Sequence, residues 1–267
     1  MRPLAGLVDE YCRKRIGRKP NLSDPRGYND KIQWLKLHDQ RPEHIIACDK
    51  WAVREWVAER ADCLIPATMG LADASLPFIA KCSHDSGSAV RVDTEHDRHR
   101  AFDKLAKRLT RPYGAEKGEW AYQFVPARIV SEQALPGPVT DYKFHCVHGE
   151  VRWVQVIWNR QTGHPWEAIF TPEGEVTALH MDEKMRHRPD QGKHPGGEAW
   201  RELTALAEKL AEGWRYVRVD LYWSQGKAWF GELTFWPRAG CYQSADEPVF
   251  GELLDIDMGE KLQPVVA

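Results

Sequence analysis

The stretch Asp220-Leu-Tyr-Trp-Ser-Gln-Gly-Lys-Ala-Trp-Phe-Gly-Glu232 constrains this chain more tightly than any other. It predicts two short strands joined by a tight turn at Gln225-Gly226-Lys227. Alternation puts Arg218 and Asp220 on one face of the first strand, and Val217, Val219 and Leu221 on the other. On the return strand, Glu232 and Thr234 share a face. A three-residue loop centred on Gly226 sets Asp220 across from Glu232. The flanking residues are bulky and apolar, so the pair belongs to the interior, where carboxylates need partners. Two interior carboxylates facing each other repel unless a cation lies between them. The natural occupant is magnesium carrying polyphosphate oxygens, because Mg²⁺ takes one or two carboxylates together with phosphates. Arg218 adds a guanidinium fork for phosphate.

The remainder of the chain intersperses short helices and strands. Residues 29–38 predict a helix with Asn29 as N-cap and Ile32, Trp34 and Leu35 as apolar positions. A second helix is predicted over 50–59, behind Asp49, with Val53, Trp56 and Val57 at helical spacing. Phe78-Ile-Ala-Lys-Cys82 predicts a strand running into the small-residue loop Ser83-His-Asp-Ser-Gly-Ser88, and residues 101–109 a short amphipathic helix. Strands are expected at Arg128–Leu135 and Tyr142–Val147, followed by a His148-Gly149 turn and a strand over Val151–Trp158. Residues 182–198 are polar and rich in proline and glycine, which predicts a surface loop. Residues 199–212 predict a helix stopped by Gly213. Without βαβ alternation, and with hairpins dominant, the expected class is α+β.

At 267 residues the chain can bury a substantial core, as one large domain or two lobes. Its 37 basic and 39 acidic residues nearly balance, which gives no electrostatic case for nucleic acid or an anionic membrane. No apolar run approaches the roughly 20 residues of a membrane span. Asp9 and Glu10 interrupt the start where a secretory segment would need an apolar core. Six cysteines without a Cys-x-x-Cys pair read as reduced thiols of a cytoplasmic protein.

Further positions bear on the polyphosphate reading. Lys81 sits inside an apolar strand just before Ser86, Gly87 and Ser88. Lysine is costly to bury without an anion, and small residues let backbone N–H groups approach phosphate. The plain alternative is a lysine snorkelling from an edge strand beside an ordinary turn. Glu132-Gln133-Ala134-Leu135 ends a strand and offers backbone groups to a purine edge, with Glu132 for its amine; the alternative is a simple strand end. Lys143, within Asp141-Tyr142-Lys143-Phe144, repeats the Lys81 argument. His145 and Cys146 alternate to opposite faces, which argues against a zinc site with His148. His84 with Asp85 fits either a ligand contact or a surface turn. The tract Arg186-His187-Arg188 with Lys193-His194 fits a lid over an acceptor or a solvated loop.

Taken in order, these elements resemble the ATP-grasp superfamily, and more narrowly the TupA-like ATP-grasp family. The resemblance is carried by Tyr28-Asn-Asp-Lys-Ile-Gln-Trp-Leu-Lys-Leu37, Asp49-Lys-Trp-Ala-Val-Arg-Glu55, Leu64-Ile-Pro66, Ala80-Lys-Cys-Ser-His-Asp-Ser-Gly87, Asp141-Tyr-Lys-Phe144, and Val217–Tyr222 through Gly231–Phe235. It implies an ATP-grasp fold, two α+β lobes clasping ATP behind a helical N-terminal segment. The implied divisions are 1–65 for that segment, 66–130 for a small lobe with the phosphate loop, and 131–267 for a large lobe with the magnesium hairpin. By position, Lys81 and Lys143 hold phosphates, Ser86, Gly87 and Ser88 cover them, and Glu132 to Leu135 meet adenine, with Asp141 beside them. Lys143 and Arg218 act on the transferred phosphate, and Asp220 and Glu232 hold magnesium. Thr234 stands where most ATP-grasp enzymes carry an asparagine metal ligand. Arg238 stands where glycine is more usual, and either recognises an acidic acceptor or is simply exposed.

The resemblance further implies a ligase that activates a carboxylate as an acylphosphate with ATP and Mg²⁺, then joins it to an amine. The carboxylate is a small molecule or sugar-linked, the amine an amino acid. Cell-surface polysaccharide and peptide natural-product biosynthesis fit equally. A kinase acting on a hydroxyl and a non-catalytic nucleotide-binding partner remain as alternatives, and a homodimer is left open.

Overall fold

Strand-forming sequence in two blocks builds two separate sheets. The computed structural model describes residues 3–70, 73–137, 139–191 and 193–259. Helices α1 (Leu4–Ile16), α2 (Tyr28–His38), α3 (Glu43–Cys48) and α4 (Val53–Ala58) come first. The first sheet combines β1 (Thr68–Met69), β2 (Phe78–Cys82), β3 (Val90–Val92) and β4 (Ile129–Gln133) in the order β1-β4-β2-β3, all antiparallel, with α5 (Glu95–Leu109) between β3 and β4 in sequence. The second combines β5 (Asp141–Val147), β6 (Glu150–Trp158), β7 (Trp166–Phe170), β8 (Arg186–His187), β9 (Tyr216–Ser224) and β10 (Lys227–Thr234) in the order β10-β9-β5-β6-β7-β8. Helix α6 (Gly197–Ala211) precedes β9 and α7 (Glu247–Leu253) follows β10. The expected α+β class holds. Strand β4 keeps the first sheet going past residue 130, because Glu132 and Gln133 still pair with Ile79 and Phe78. Among the described residues, no helix is long and apolar enough to cross a membrane.

The alternation in β2 explains the smaller core. Phe78, Ala80 and Cys82 are buried with Val92 and with Ala101 and Leu105 of α5, whereas Ile79 and Lys81 point to the opposite side. Under the larger sheet, α6 buries Trp200, Leu203, Ala207 and Leu210 in one core with Phe144, Val217 and Val219. Within β5, His145 is fully buried; its ring stacks on Trp153 at 4.4 Å and its Nδ1 lies 2.9 Å from the Tyr216 hydroxyl.

Several boundaries differ from expectation, each for a visible reason. Helix α2 begins at Tyr28, and Asn29 lies inside it, not at its cap. The Asn29 amide instead clasps the Tyr242 backbone, donating to its carbonyl and accepting from its N–H, both at 2.9 Å. The Asn29 N–H donates to Glu247 Oε1 at 2.6 Å, so a carboxylate from α7 serves this helix terminus. Helix α4 starts only at Val53, because Asp49 Oδ1 accepts from the Trp51 N–H at 2.8 Å and holds 50–52 as a turn. Helix α5 starts earlier, at Glu95, behind a Thr94/Asp97 capping box. The 182–198 segment is not all loop: β8 pairs in parallel with β7.

The decisive hairpin has its expected pairing by a different route. Gln225 (φ 53°) and Gly226 (φ 72°) form a two-residue turn, not the three-residue loop expected. The extra residue sits further along, as a β-bulge at Gly231 between Phe230 and Glu232, and only beyond it does Glu232 pair with Asp220. A Cβ on Gly231 would come within 2.8 Å of the Asp220 carbonyl oxygen and 2.9 Å of the Tyr222 ring, so this bulge requires glycine. Gly231→Val is therefore expected to cost about 1–3 kcal/mol, as overpacking of a tight site does. The check is the denaturation midpoint in urea, and an unchanged midpoint counts against the bulge.

Candidate active site

The sides of β2 and β9 turned away from their helices face a common cavity of about 970 Å³, lined from both sheets. From the first sheet and the segments around it come Lys81, Ser86, Gly87, Ser88, Glu132, Gln133 and Leu135. From the second come Asp141, Lys143, Arg218, Asp220, Glu232 and Thr234. The structure thus brings together every site residue read from the sequence except Ala134, which is buried beside the wall but not part of it.

Asp220 is only 1 % exposed. Arg218 clasps it with Nε on Oδ1 at 2.6 Å and a terminal nitrogen on Oδ2 at 2.8 Å. Lys143, paired with Asp220 across β5 and β9, donates to Oδ2 as well. The same Arg218 nitrogen reaches Glu232 Oε1 at 3.3 Å and Thr234 Oγ1 at 3.1 Å, and the Thr234 hydroxyl lies 3.2 Å from Glu232 Oε1. Burial opposes charge on Arg218, yet Asp220 and Glu232 outweigh it and hold the guanidinium well above its ordinary value. For Glu232 burial works against ionisation, but Lys50, Arg218, Lys143 and Lys81 together pull it down to about 2. Two carboxylates and a hydroxyl, all hard oxygen donors on one face, suit magnesium, and the cations now meeting their charge mark where positive charge is required.

On the opposite wall, Glu132 is fixed between Lys81 Nζ at 2.6 Å and Arg54 at 3.0 Å. The 83–88 loop is not floppy. Ser88 is buried and its Oγ accepts from the Cys82 N–H at 2.9 Å, while Arg108 binds Asp85 at 2.6 Å and the Ser86 carbonyl at 3.2 Å. His84 and Asp85 are buried outside the lining of the cavity, so the surface-turn reading does not describe their place. Arg238 borders the cavity, where it pairs with Asp182. It and Ala239 adopt left-handed backbone, φ 52° and 55°, held from outside the loop. Gln33 Nε2 donates to the Ala239 and Gly240 carbonyls at 2.9 and 2.7 Å, and the fully buried Lys36 Nζ donates to the Ala239 carbonyl at 2.7 Å.

Sequence reasoning gave no role to Lys50, which donates to the Asp85 carbonyl and faces Glu232 across the cavity. Burial lowers its pKa, as expected of an ammonium awaiting an anion. Its signal was present in Asp49-Lys50-Trp51, but reading residue 50 as helical hid it. Arg160, which pairs with Asp141, was also passed over.

A cation-lined cavity between two mainly antiparallel sheets, with facing carboxylates on the β9–β10 hairpin, is the arrangement of the ATP-grasp class. The TupA-like ATP-grasp family model matches residues 30–259, and the chain belongs to that family. No curated protein matches it. Among solved structures it is similar to the D-alanine–D-alanine ligase of Helicobacter pylori, at 14% identity and TM-score 0.49, with 86% of this chain and 70% of that one covered. It is also similar to the ATP-grasp ligase PsnB, solved with a phosphomimetic variant of a minimal precursor, Mg and ADP, at 12% identity and TM-score 0.43 over 84% and 65%. A third, the L-amino acid ligase of Bacillus licheniformis, has 16% identity and TM-score 0.38 over 70% and 40%.

Two outcomes follow from the electrostatics. Because Glu232 is depressed below its ordinary value of 4.5, it stabilises the fold above that value and loses the contribution as pH falls towards about 2. Wild type is expected to exceed Glu232→Gln in stability near neutral pH, with the gap closing in acid; urea titrations across pH test this, and a gap that widens in acid refutes it. Lys50→Ala is expected to weaken nucleotide binding about 10- to 100-fold, the worth of a charge-assisted hydrogen bond. Calorimetric titration with ATP reads this directly.

Proposed function

We propose that the chain is an ATP- and Mg²⁺-dependent carboxylate–amine ligase. The observation that carries this reading is the Asp220–Glu232 carboxylate pair set among Arg218, Lys143, Lys81 and Lys50 in one cavity. A site so furnished meets the demand of phosphoryl transfer, which is for positioned charge and needs no covalent nucleophile. A carboxylate oxygen of the first substrate attacks the γ-phosphorus of ATP, giving an acylphosphate and ADP. The amine of the second substrate then attacks the acyl carbon, loses a proton and expels inorganic phosphate.

Each residue has a role in that scheme. Lys143 and Arg218 stabilise charge developing on the transferred phosphoryl group, and Lys81 and Lys50 bind the remaining phosphates. Ser86 and Gly87 cover them, while the Ser88 hydroxyl, used to hold the Cys82 N–H, anchors the loop from below. Glu132 to Leu135 receive the adenine, with Asp141 nearby. Asp220, Glu232 and Thr234 would hold magnesium, which when bound neutralises phosphate charge. The helical segment 1–65 precedes a small lobe from 66 and a large lobe; we take the crossover to fall after Gln133, where β4 ends.

For the substrates, Arg238 beside Asp182 favours an acidic acceptor such as a sugar-linked or small-molecule carboxylate, joined to an amino acid. The thiol state of all six cysteines accords with a cytoplasmic enzyme. Release of both ADP and inorganic phosphate, dependent on carboxylate and amine together, is the expected result. A phosphorylated acceptor without phosphate release would make the protein a kinase instead, and AMP with pyrophosphate would exclude the acylphosphate route. Asp220→Asn is expected to lower turnover about a hundredfold or more, the usual effect of losing a preorganised charge at the reacting phosphate.

A further inference from the structure

Beyond the cavity, a second group of ligating atoms has no place in the chemistry above. Glu167 of β7, His180 in the following loop and His187 of β8 each direct one ligand atom to a common point, all within 4.8 Å of one another. Glu167 is completely buried. Its Oε1 accepts from the backbone N–H groups of Met181 (2.8 Å) and Asp182 (3.2 Å), and its other oxygen accepts from Gln155. Those bonds fix the carboxylate without supplying a counter-charge. Facing it, His180 Nε2 stands at 3.6 Å, beyond hydrogen-bond reach. His180 Nε2 and His187 Nδ1 are both buried, and neither has a hydrogen-bond partner among the described residues. The two imidazoles stack at 4.8 Å, 28° from parallel, so neither donates to the other's ring edge.

Two orphaned imidazole nitrogens converging on a buried carboxylate lack a cation. We propose that Glu167, His180 and His187 bind a divalent transition ion of the zinc class, with a fourth position open to water. Two imidazoles and one carboxylate match the ligand preferences of zinc, whereas magnesium prefers oxygen donors alone. The surroundings are prepared for it. The His180 backbone N–H donates to Asp246 at 2.8 Å and its backbone carbonyl accepts from Ser244, which pins the chain that carries this imidazole, and Glu167 pairs with His187 in the parallel β7–β8 register.

The site's position indicates a structural role with a reach into the active cavity. Gln155, which holds Glu167, pairs in register with Lys143, and Asp182, whose N–H binds the same carboxylate, carries the partner of Arg238. An ion here clamps the wall at the acceptor end and ties β8 to the sheet.

The test uses untagged full-length protein, stripped with chelator and then titrated with Co²⁺ in saturating Mg²⁺, so that all-oxygen sites are filled. One equivalent of cobalt is expected to give visible absorption bands that Zn²⁺ abolishes, and zinc is expected to raise the melting temperature. Asp220→Asn should bind cobalt as wild type does, which separates this site from the nucleotide cavity. His187→Ala should weaken cobalt binding at least about a hundredfold. In wild type, zinc should also shift the ring ¹⁵N signals of two histidines, a readout that does not depend on a variant folding. Absence of the cobalt bands or of the ring shifts, or a His187→Ala titration matching wild type, overturns the proposal.

Discussion

The arrangement depends on charge balance around one enclosed carboxylate. Asp220 lies in a central strand of the larger sheet, where an uncompensated anion would cost several kcal/mol. Arg218 from its own strand and Lys143 from the next relieve that cost, and Asp220 is in turn the nearest acidic partner of both. Removing Asp220 strips both cations of their nearest partner, leaving Arg218 to Glu232 at 3.3 Å and Lys143 to Asp141 at 3.8 Å. Lys50 and Lys81 approach from the far wall, and among the described residues nine basic side chains line the cavity against six acidic ones, a cationic surplus. A polyanion entering this space meets charges already in position, and little reorganisation is needed.

How much of this was legible in the sequence follows from the range of the interactions involved. Alternation along β9 was enough to put Arg218 and Asp220 on one face, because strand periodicity is a local property, and Lys81 and Lys143 stood out as lysines inside apolar strands; that all four share one space was implied only by the family resemblance. The facing of Asp220 and Glu232 was also correctly expected, although by counting a longer turn where the structure has a bulge at Gly231. Both insert one residue, so they give the same register, and only the close approach of Gly231 to Asp220 and Tyr222 distinguishes them.

What escaped was set by contacts between distant segments. The cap on α2 comes from Glu247, far along the chain, so a local search settled on Asn29 instead. Lys50 was obscured by helical spacing that begins only at Val53. The first turns of α5 are almost wholly polar, Glu95-His-Asp-Arg-His-Arg100, and their helicity is signalled by a cap, not by an apolar stripe. Glu167, His180 and His187 carry no recognisable spacing and meet only because β8 returns alongside β7.

The grip of Gln33 and Lys36 on the carbonyls of Ala239 and Gly240 has a bearing on redesign. The contorted backbone that presents Arg238 is moulded on α2, some two hundred positions upstream. Grafting another enzyme's loop here, to alter what the catalyst accepts, means transplanting the helical mould along with the cast.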